Sequence, residues 1–474
     1  MPAREERKTM NFSVSDILEA TGGRLLAGTA DARAGALSTD TRHLGRGQMF
    51  LALRGERFDG HAFLADAVKA GAACLVVHDA DAAAKAARKA GVAIALVEDT
   101  RCALADLGRA ARSRLACPVI AVTGSCGKTT VKEMLGQILS RRLRGRVPPA
   151  SYNNAVGVPL TLVSAEVDDE FVVCEVGTNA PGEIARLAGI ARPTVGIVTL
   201  VAPTHLVGLG SVEGVAEEKA ALVEALPPEG LAILNADDPR VAAMADRCSG
   251  RVVTVGTTWE ADLQAGHVIQ TDRGLYFTAT GSAGFEVPVL GAHQAVLALE
   301  AAAAARELGI PLEASAEALR GFKPPPMRLA LEEAGGVVVL NDAYNASPAS
   351  MQTALDVLAL WPDRRKVFFC GDMLELGEAA PAAHGDLGRR VAEAEVARLV
   401  CVGRHAKATA AAAVEGGLAA RNVTAVDDAQ AAADRVLATV EAGDVVLVKG
   451  SRAVGMERVA TAIAGAFGGQ TVGA

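Results

Sequence analysis

The chain has 474 residues, half of them apolar and 3% aromatic, with a formal charge of −8 and an isoelectric point near 5.6. That length predicts about three domains at roughly 150 residues each. The acidic balance argues against nucleic acid or an anionic membrane as the main partner, while leaving room for a small anion held by local positive charge. The mean hydropathy of +0.26 comes mostly from Ala, Val and Leu, so Ala-rich helices and Val-rich strands are expected to build the cores.

In chain order, the opening MPAREERKTMNFSV lacks the apolar stretch of a secretory signal. No run of 18 or more apolar residues follows, so no membrane insertion is expected, and the cysteine usage predicts a cytoplasmic location. Cys74, Cys102, Cys117, Cys126, Cys174, Cys248, Cys370 and Cys401 form no C-x-x-C and are expected to be reduced thiols, mostly in the core. Up to about residue 115 the pattern is mixed. QMFLALRG (48–55) and ACLVV (73–77) are expected strands of a smaller α/β domain, and residues 87–115 hold the strand and helix that end it.

From Val119 onward, short Val/Ile/Leu runs alternate with longer Ala/Leu/Glu helical patterns, the signature of βαβ units on a parallel sheet. PVIAV (118–122), FVVCEV (171–176), TVGIVTL (194–200) and GLAIL (230–234) are near-continuous apolar runs, which fits strands buried on both faces. The prolines of GFKPPPMR (321–328) predict a stiff joint. Beyond it VVVL (337–340), KVFFC (366–370), ARLVCVG (397–403) and DVVLVKG (444–450) outline another α/β unit. The expected fold is therefore α/β in three units, spanning 1–115, 116–325 and 326–474.

The segment AVTGSCGKTT (121–130) carries the clearest chemistry. Five residues before Gly127 stands Val122, where the G-x-x-x-x-G-K-[ST] loop has glycine, so the loop is a shorter one, Gly124 to Thr130. It lies between a buried strand and the apolar-periodic VKEMLGQILSRRL, where backbone N–H groups and the helix dipole attract phosphate. There Lys128 can reach terminal phosphates and Thr129 can ligate Mg²⁺.

Other polar residues close buried strands, which is where open α/β sheets bind ligands. Glu175 ends FVVCE and is costly in so apolar a run unless it meets a cation, a metal included. His205 follows the next strand. Asp342, Asp372 and Lys449 bring polar groups to the same edge of the last unit. Lys219, beside Glu217 and Glu218 on a helical pattern, is expected from composition on a solvated face held by weak ion pairs. Arg328, just past the prolines, can swing onto a nucleotide bound in the preceding unit.

Taken together, the strings STDTR (38–42), FLALRGERFDGHAF (50–63), TGSCGKTT, YNNAVGVPLTL (152–162), EVGTNAPGEI (175–184), THLVGLGSVEGVAEEK (204–219), LNADDP (234–239), NDAYNASPASM (341–351), GDMLELG (371–377) and KGSRAVGME (449–457) resemble the Mur ligases, ATP-dependent amide-forming enzymes of peptidoglycan synthesis. The resemblance covers nearly the whole chain. It implies a uridine-nucleotide-binding unit, a central P-loop ATPase on a mainly parallel sheet, and a C-terminal Rossmann-like unit that closes over the nucleotide.

Residue by residue, the resemblance implies that Gly124, Ser125, Gly127, Lys128, Thr129 and Thr130 hold ATP. It implies Thr129 and Glu175 as ligands of one Mg²⁺, and His205 and a carbamylated Lys219 at a second, which replaces the solvated-face reading of Lys219. Asn153, Asn154 and Asn179 match the muramoyl-substrate side, and Asp40, Thr41 and Arg42 the uridine end. Arg328, Asp342, Tyr344, Asn345 and Lys449 match positions that meet ATP or the incoming amine. The Y-N-A-x-P-x-S-M and GDM-x-ELG strings point to the member that joins D-alanyl-D-alanine to UDP-N-acetylmuramoyl-tripeptide, acting as a monomer.

Two alternatives are a sibling adding diaminopimelate or lysine, which would carry a D-N-P-R type of string in place of YNASP, and a P-loop regulatory protein, for which N-K-x-D is missing. Three departures stand out. LGAHQAVLAL (290–299) has Gln294 and Leu297 where the family's adenine-facing string has Asn; Gln294 can still offer its amide to ATP, and Leu297 cannot. Asn341 replaces a common Asp, and Met327 a common Gly.

Overall fold

The computed structural model describes residues 10–55, 58–87, 91–280 and 283–468. The charged start of the chain, up to residue 9, and Glu56–Arg57 of the FLALRGERFDGHAF string lie outside them. Among the described residues the strands form one short ribbon and three larger sheets.

The first of these sheets runs Arg24–Ala27, Ala93–Leu96, Cys74–Val77, Met49–Leu51, Leu37–Ser38. Its helix Thr100–Arg114 starts on Asp99, whose carboxylate accepts from the N–H groups of Arg101 and Cys102, satisfying two donors that the first turn leaves free. The apolar face of this helix, with Leu104, Leu107 and Ala111, lies in one core with Val119 and Cys174 of the next sheet and with Ile184 and Leu187. Gly108 makes that approach possible, since a Cβ there would stand 2.9 Å from Pro159 Cβ.

The central sheet has nine strands. Gly145–Arg146, Phe171–Glu175, Val119–Thr123, Val195–Val198, Leu231–Asn235, Arg251–Gly256 and Leu263–Gln270 are parallel neighbours in that order. All four apolar runs expected here are fully buried strands. An antiparallel extension, Leu275–Ala279 and Gly284–Val287, follows Leu263–Gln270. The βαβ pattern did not foretell it, because these strands alternate buried and exposed residues instead of being apolar throughout. The Ala-rich helix Gln294–Glu307 is buried along nearly its whole length between the sheet and the helix Lys128–Leu139. Small side chains let it sit there.

The third sheet runs Ala330–Ala334, Val337–Asp342, Val445–Lys449, Lys366–Gly371, Arg398–Val402, Val423–Val426. All its neighbours are parallel except the first pair. The joint that leads into it places Met327 at φ +60 and Leu329 at φ +50, left-handed backbone that costs an L-residue about 1–2 kcal/mol. Five cysteines are buried and none is paired; Cys102 is exposed, and Cys126 and Cys248 are half-buried.

Candidate active site

Val119–Thr123 comes first among the parallel strands, with Phe171–Glu175 on one side and Val195–Val198 on the other. The connections diverge at its carboxyl end, which opens a crevice there. The loop after it needs both its glycines. Gly124 has φ +151 and a Cβ would fall 1.9 Å from Thr199 Oγ1; Gly127 has φ +85 and a Cβ would fall 2.8 Å from Leu297 Cδ2. Ser125 Oγ donates to Ala202 O at 3.1 Å and accepts from Ala202 N at 2.9 Å, so the loop is fastened to the segment after the neighbouring strand.

Gly127 caps the helix Lys128–Leu139 without a side-chain bond, leaving the first-turn N–H groups to an anion. Lys128 Nζ folds back on Gly124 O at 2.6 Å. Burial lowers its pKa, and the charge of Glu175 opposes that shift.

Glu175 is 1% exposed. One carboxylate oxygen accepts from Thr129 Oγ1 and the other from Asn153 Nδ2, both at 2.9 Å. Thr129 Oγ1 also lies 3.1 Å from Ser151 Oγ. Thr130 is buried on the same turn.

The third unit closes the other side of the crevice. Arg328 Nη2 donates to Thr129 Oγ1 at 3.0 Å, and its guanidinium lies 4.1 Å from the centre of the Tyr344 ring, where the ring face favours a cation. Asp342 and Lys449 are register partners at the ends of adjacent strands. Their side chains form a buried ion pair, and Lys449 Nζ also donates to Asn345 O at 3.0 Å. Burial pushes the Asp342 carboxyl up while Lys449 pulls it down. Asn341, the replacement for a common Asp, donates to Glu332 Oε1 at 3.0 Å. Asp372, expected at the same edge, does not line the crevice. Its carboxylate accepts from Arg404 N and His405 N at 2.7 and 3.1 Å, which fixes the turn into the helix Ala406–Glu415.

On the remaining flank the structure corrects the composition-based reading of Lys219, which is 2% exposed. Burial and the nearby charge of Lys128 lower its pKa to about 7. Of its two acidic neighbours only Glu217 is solvated, paired with Arg247. Glu218 is buried and accepts from Gly182 N and Ile184 N, both at 2.7 Å. His205, at φ +54, has Nδ1 2.6 Å from Oε2 of Glu375, itself at φ +64. The contact is off the hydrogen-bonding direction. Burial lowers the imidazole pKa and Glu375 raises it.

Gln294 faces the crevice with a buried Oε1 that has no partner. Leu297 packs on the glycine loop instead of offering a polar group.

Of these, the loop residues Ser125 to Thr130 with Asn153, Glu175, His205, Gln294, Leu297, Arg328, Asp342, Tyr344, Asn345, Glu375 and Lys449 line one cleft of ≈ 920 Å³, together with Asn154 and Asn179; Lys219, buried close enough to feel the charge of Lys128, does not line it. Asp40, Thr41 and Arg42 do not line it. They lie at and just past the edge strand Leu37–Ser38 of the first sheet, where the Arg42 guanidinium holds the Asp40 carboxyl well below the usual range.

Three family models match the chain: the Mur ligase middle domain over residues 122–305, the Mur ligase glutamate ligase domain over 327–452, and the Mur ligase family catalytic domain over 35–112. The chain belongs to the Mur ligase family. It is 35% identical to the UDP-N-acetylmuramoyl-tripeptide--D-alanyl-D-alanine ligase of Bacillus subtilis (strain 168), over 89% of this chain and 92% of that one. The enzyme of the same name from Escherichia coli (strain K12) is also 35% identical, over 96% and 98%. Among solved structures, MurF from Acinetobacter baumannii superposes with a TM-score of 0.85 at 30% identity, covering 97% of this chain and all of that one. MurF from Thermotoga maritima in complex with ADP gives 0.77 at 26% identity, over 91% and 98%.

One residue that lines this Mur ligase cleft, Glu375, and one buried on its glycine-loop helix, Lys132, were not singled out from the sequence. Glu375 stood inside the GDMLELG string. Lys132 carried a usable signal: it follows Lys128 by four residues and precedes Leu135 and Leu139 by three and seven, so it lies on the buried face of its helix. Among the described residues no helix is long and apolar enough to cross a membrane.

Proposed function

We propose that the chain is an ATP-dependent amide-bond-forming ligase that joins D-alanyl-D-alanine to UDP-N-acetylmuramoyl-tripeptide, giving the pentapeptide precursor of peptidoglycan in the cytoplasm. The observation that carries this reading is the single cleft in which the glycine loop and Glu175 face Arg328, Asp342 and Lys449 of the third unit. The tripeptide carboxylate attacks the γ-phosphorus of ATP, forming an acyl phosphate as the bond to ADP breaks. The neutral amine of the dipeptide then attacks the acyl carbon, phosphate leaves with the C–O electron pair, and the amine loses a proton. Lys128 and Arg328 oppose the negative charge that develops on the transferred group. Such an intermediate hydrolyses readily, so the closing of the 326–474 unit over the 116–325 unit excludes water. Asp40, Thr41 and Arg42 of the 1–115 unit take the uridine end, and Asn153, Asn154 and Asn179 the muramoyl peptide.

Thr129 and Glu175 present a hydroxyl and a carboxylate, hard oxygen donors that suit Mg²⁺, an ion that keeps several waters and takes further ligands from phosphates. Among the described residues no cluster of three or more His, Cys, Asp or Glu forms a ready cage. His205 with an unmodified lysine does not hold a cation; a carbamate on Lys219 would supply the oxygens for a second ion. The fully buried amine, with a pKa of about 7, is neutral often enough near physiological pH to take up CO₂. When bound, Mg²⁺ supplies Lewis-acid neutralisation of the phosphate oxygens.

ADP release is expected only when UDP-N-acetylmuramoyl-tripeptide and D-alanyl-D-alanine are both present. Equal turnover with a single amino acid in place of the dipeptide would refute the assignment.

A further inference from the structure

Lys132 is fully buried, one turn beyond Lys128. An ammonium taken out of water is costly unless its protons are all engaged, and here they are. Nζ donates to Pro148 O at 2.9 Å and to Ala150 O at 2.7 Å, and Glu133 Oε1 lies 2.7 Å away. The two carbonyls belong to a segment without helix or strand of its own, 147–156, in which Ala150 is held at φ +53. A non-glycine residue in left-handed backbone persists only where its surroundings impose it.

The same segment carries the two side chains that complete the Thr129–Glu175 pair. Ser151 Oγ lies against Thr129 Oγ1, and Asn153 Nδ2 donates to Glu175 Oε1. Its far side is fixed where Gly177 N donates to Asn153 O at 2.7 Å. Among the described residues, the hydrogen bonds that tie Ala150–Asn153 to the nucleotide helix are those of Lys132 and the Ser151 contact.

We propose that Lys132 is a positioning residue that joins the ATP loop to the muramoyl-substrate loop: its ammonium sets residues 148–153 from the helix that carries Lys128 and Thr129. A shift of that helix when nucleotide binds is then transmitted to Asn153. This rests on the reading of Asn153 as substrate-facing.

The test uses the full-length enzyme with Lys132→Met, which keeps the aliphatic stem and leaves Glu133 free in water. Hydrogen exchange at the amides of 150–154 is expected to quicken at least 10-fold, with the strand Phe171–Glu175 unchanged. The KM for UDP-N-acetylmuramoyl-tripeptide is expected to rise roughly 10- to 100-fold, with the KM for ATP within about threefold of the parent. Most of that rise should vanish when Lys132→Met is made in an Asn153→Ala background, because both changes then act on one contact. Additive effects, or a lowered melting temperature with both KM values unchanged, overturn the inference. If Asn153→Ala alone leaves the tripeptide KM unchanged, the substrate reading of the loop fails and the inference with it, an outcome separable from a raised KM in Asn153→Ala with none in Lys132→Met.

Discussion

On the glycine-loop flank of the cleft, Glu175 is bonded through both oxygens, Thr129 has three partners, and Lys128 and Ser125 are tied to backbone. On the opposite flank Lys219 is buried with a depressed pKa, His205 makes only an off-axis contact, and the Gln294 carbonyl oxygen is orphaned. The first flank is preorganised, so it stabilises the fold while presenting its donors. The second carries an energetic debt that a ligand or a modification would relieve. Substitutions should therefore harm both stability and turnover on one side, and separate them on the other.

The largest effect is expected at the loop itself. Lys128→Met should lower kcat by about 10³-fold through lost charge stabilisation, read by ADP release at saturating substrates, with the KM for D-alanyl-D-alanine little changed. Next comes the finished wall contributed by the third unit. Lys449→Met leaves Asp342 as a buried unpaired carboxylate and should destabilise by about 3–5 kcal/mol, and Asp342→Asn in the same chain should recover most of it in urea unfolding.

Lys219 should behave in the opposite sense. Its folded pKa of about 7 lies below its ordinary 10.5, so the folded state carries a penalty for the protonated amine. That penalty is fully present below pH 7 and fades as pH rises toward 10.5. Without bicarbonate, Lys219→Met should melt above the parent, by more at pH 6 than at pH 9. Lys219→Ala should lose about 10²-fold in activity and regain part of it with added formate or acetate. The smallest effect is expected from Gln294→Ala, which removes the unpartnered amide that faces the crevice and should weaken ATP about 3- to 10-fold by titration calorimetry.

The loop flank was legible in the sequence because its signal is local: strand, two glycines, lysine and threonine within a few residues. The strand-end acid Glu175 was legible for the same reason, since a carboxylate closing a buried run needs a partner. Lys219 was misread because periodicity reports which face a residue shares and not what covers it; Glu218 is drawn inward by two amides at the start of the helix Glu183–Ala191. Asp372 looked like Asp342 in sequence, yet its strand neighbour ends in a tight turn whose amides take the carboxylate. The antiparallel extension beyond Leu263–Gln270 was hidden because its strands are covered on one face only.

The helix Thr100–Arg114 has a further consequence for how the chain comes apart. Its apolar face is a wall of the first unit and a lid on the central one, so neither can lose it without exposing the other's core. The first two units are therefore expected to melt together. Across the proline joint the two large cores of the third unit draw, among the described residues, Leu290 alone from upstream. The unit proposed to close over the nucleotide is therefore the one expected to unfold alone, and calorimetry of the full chain is expected to resolve its transition from that of the other two.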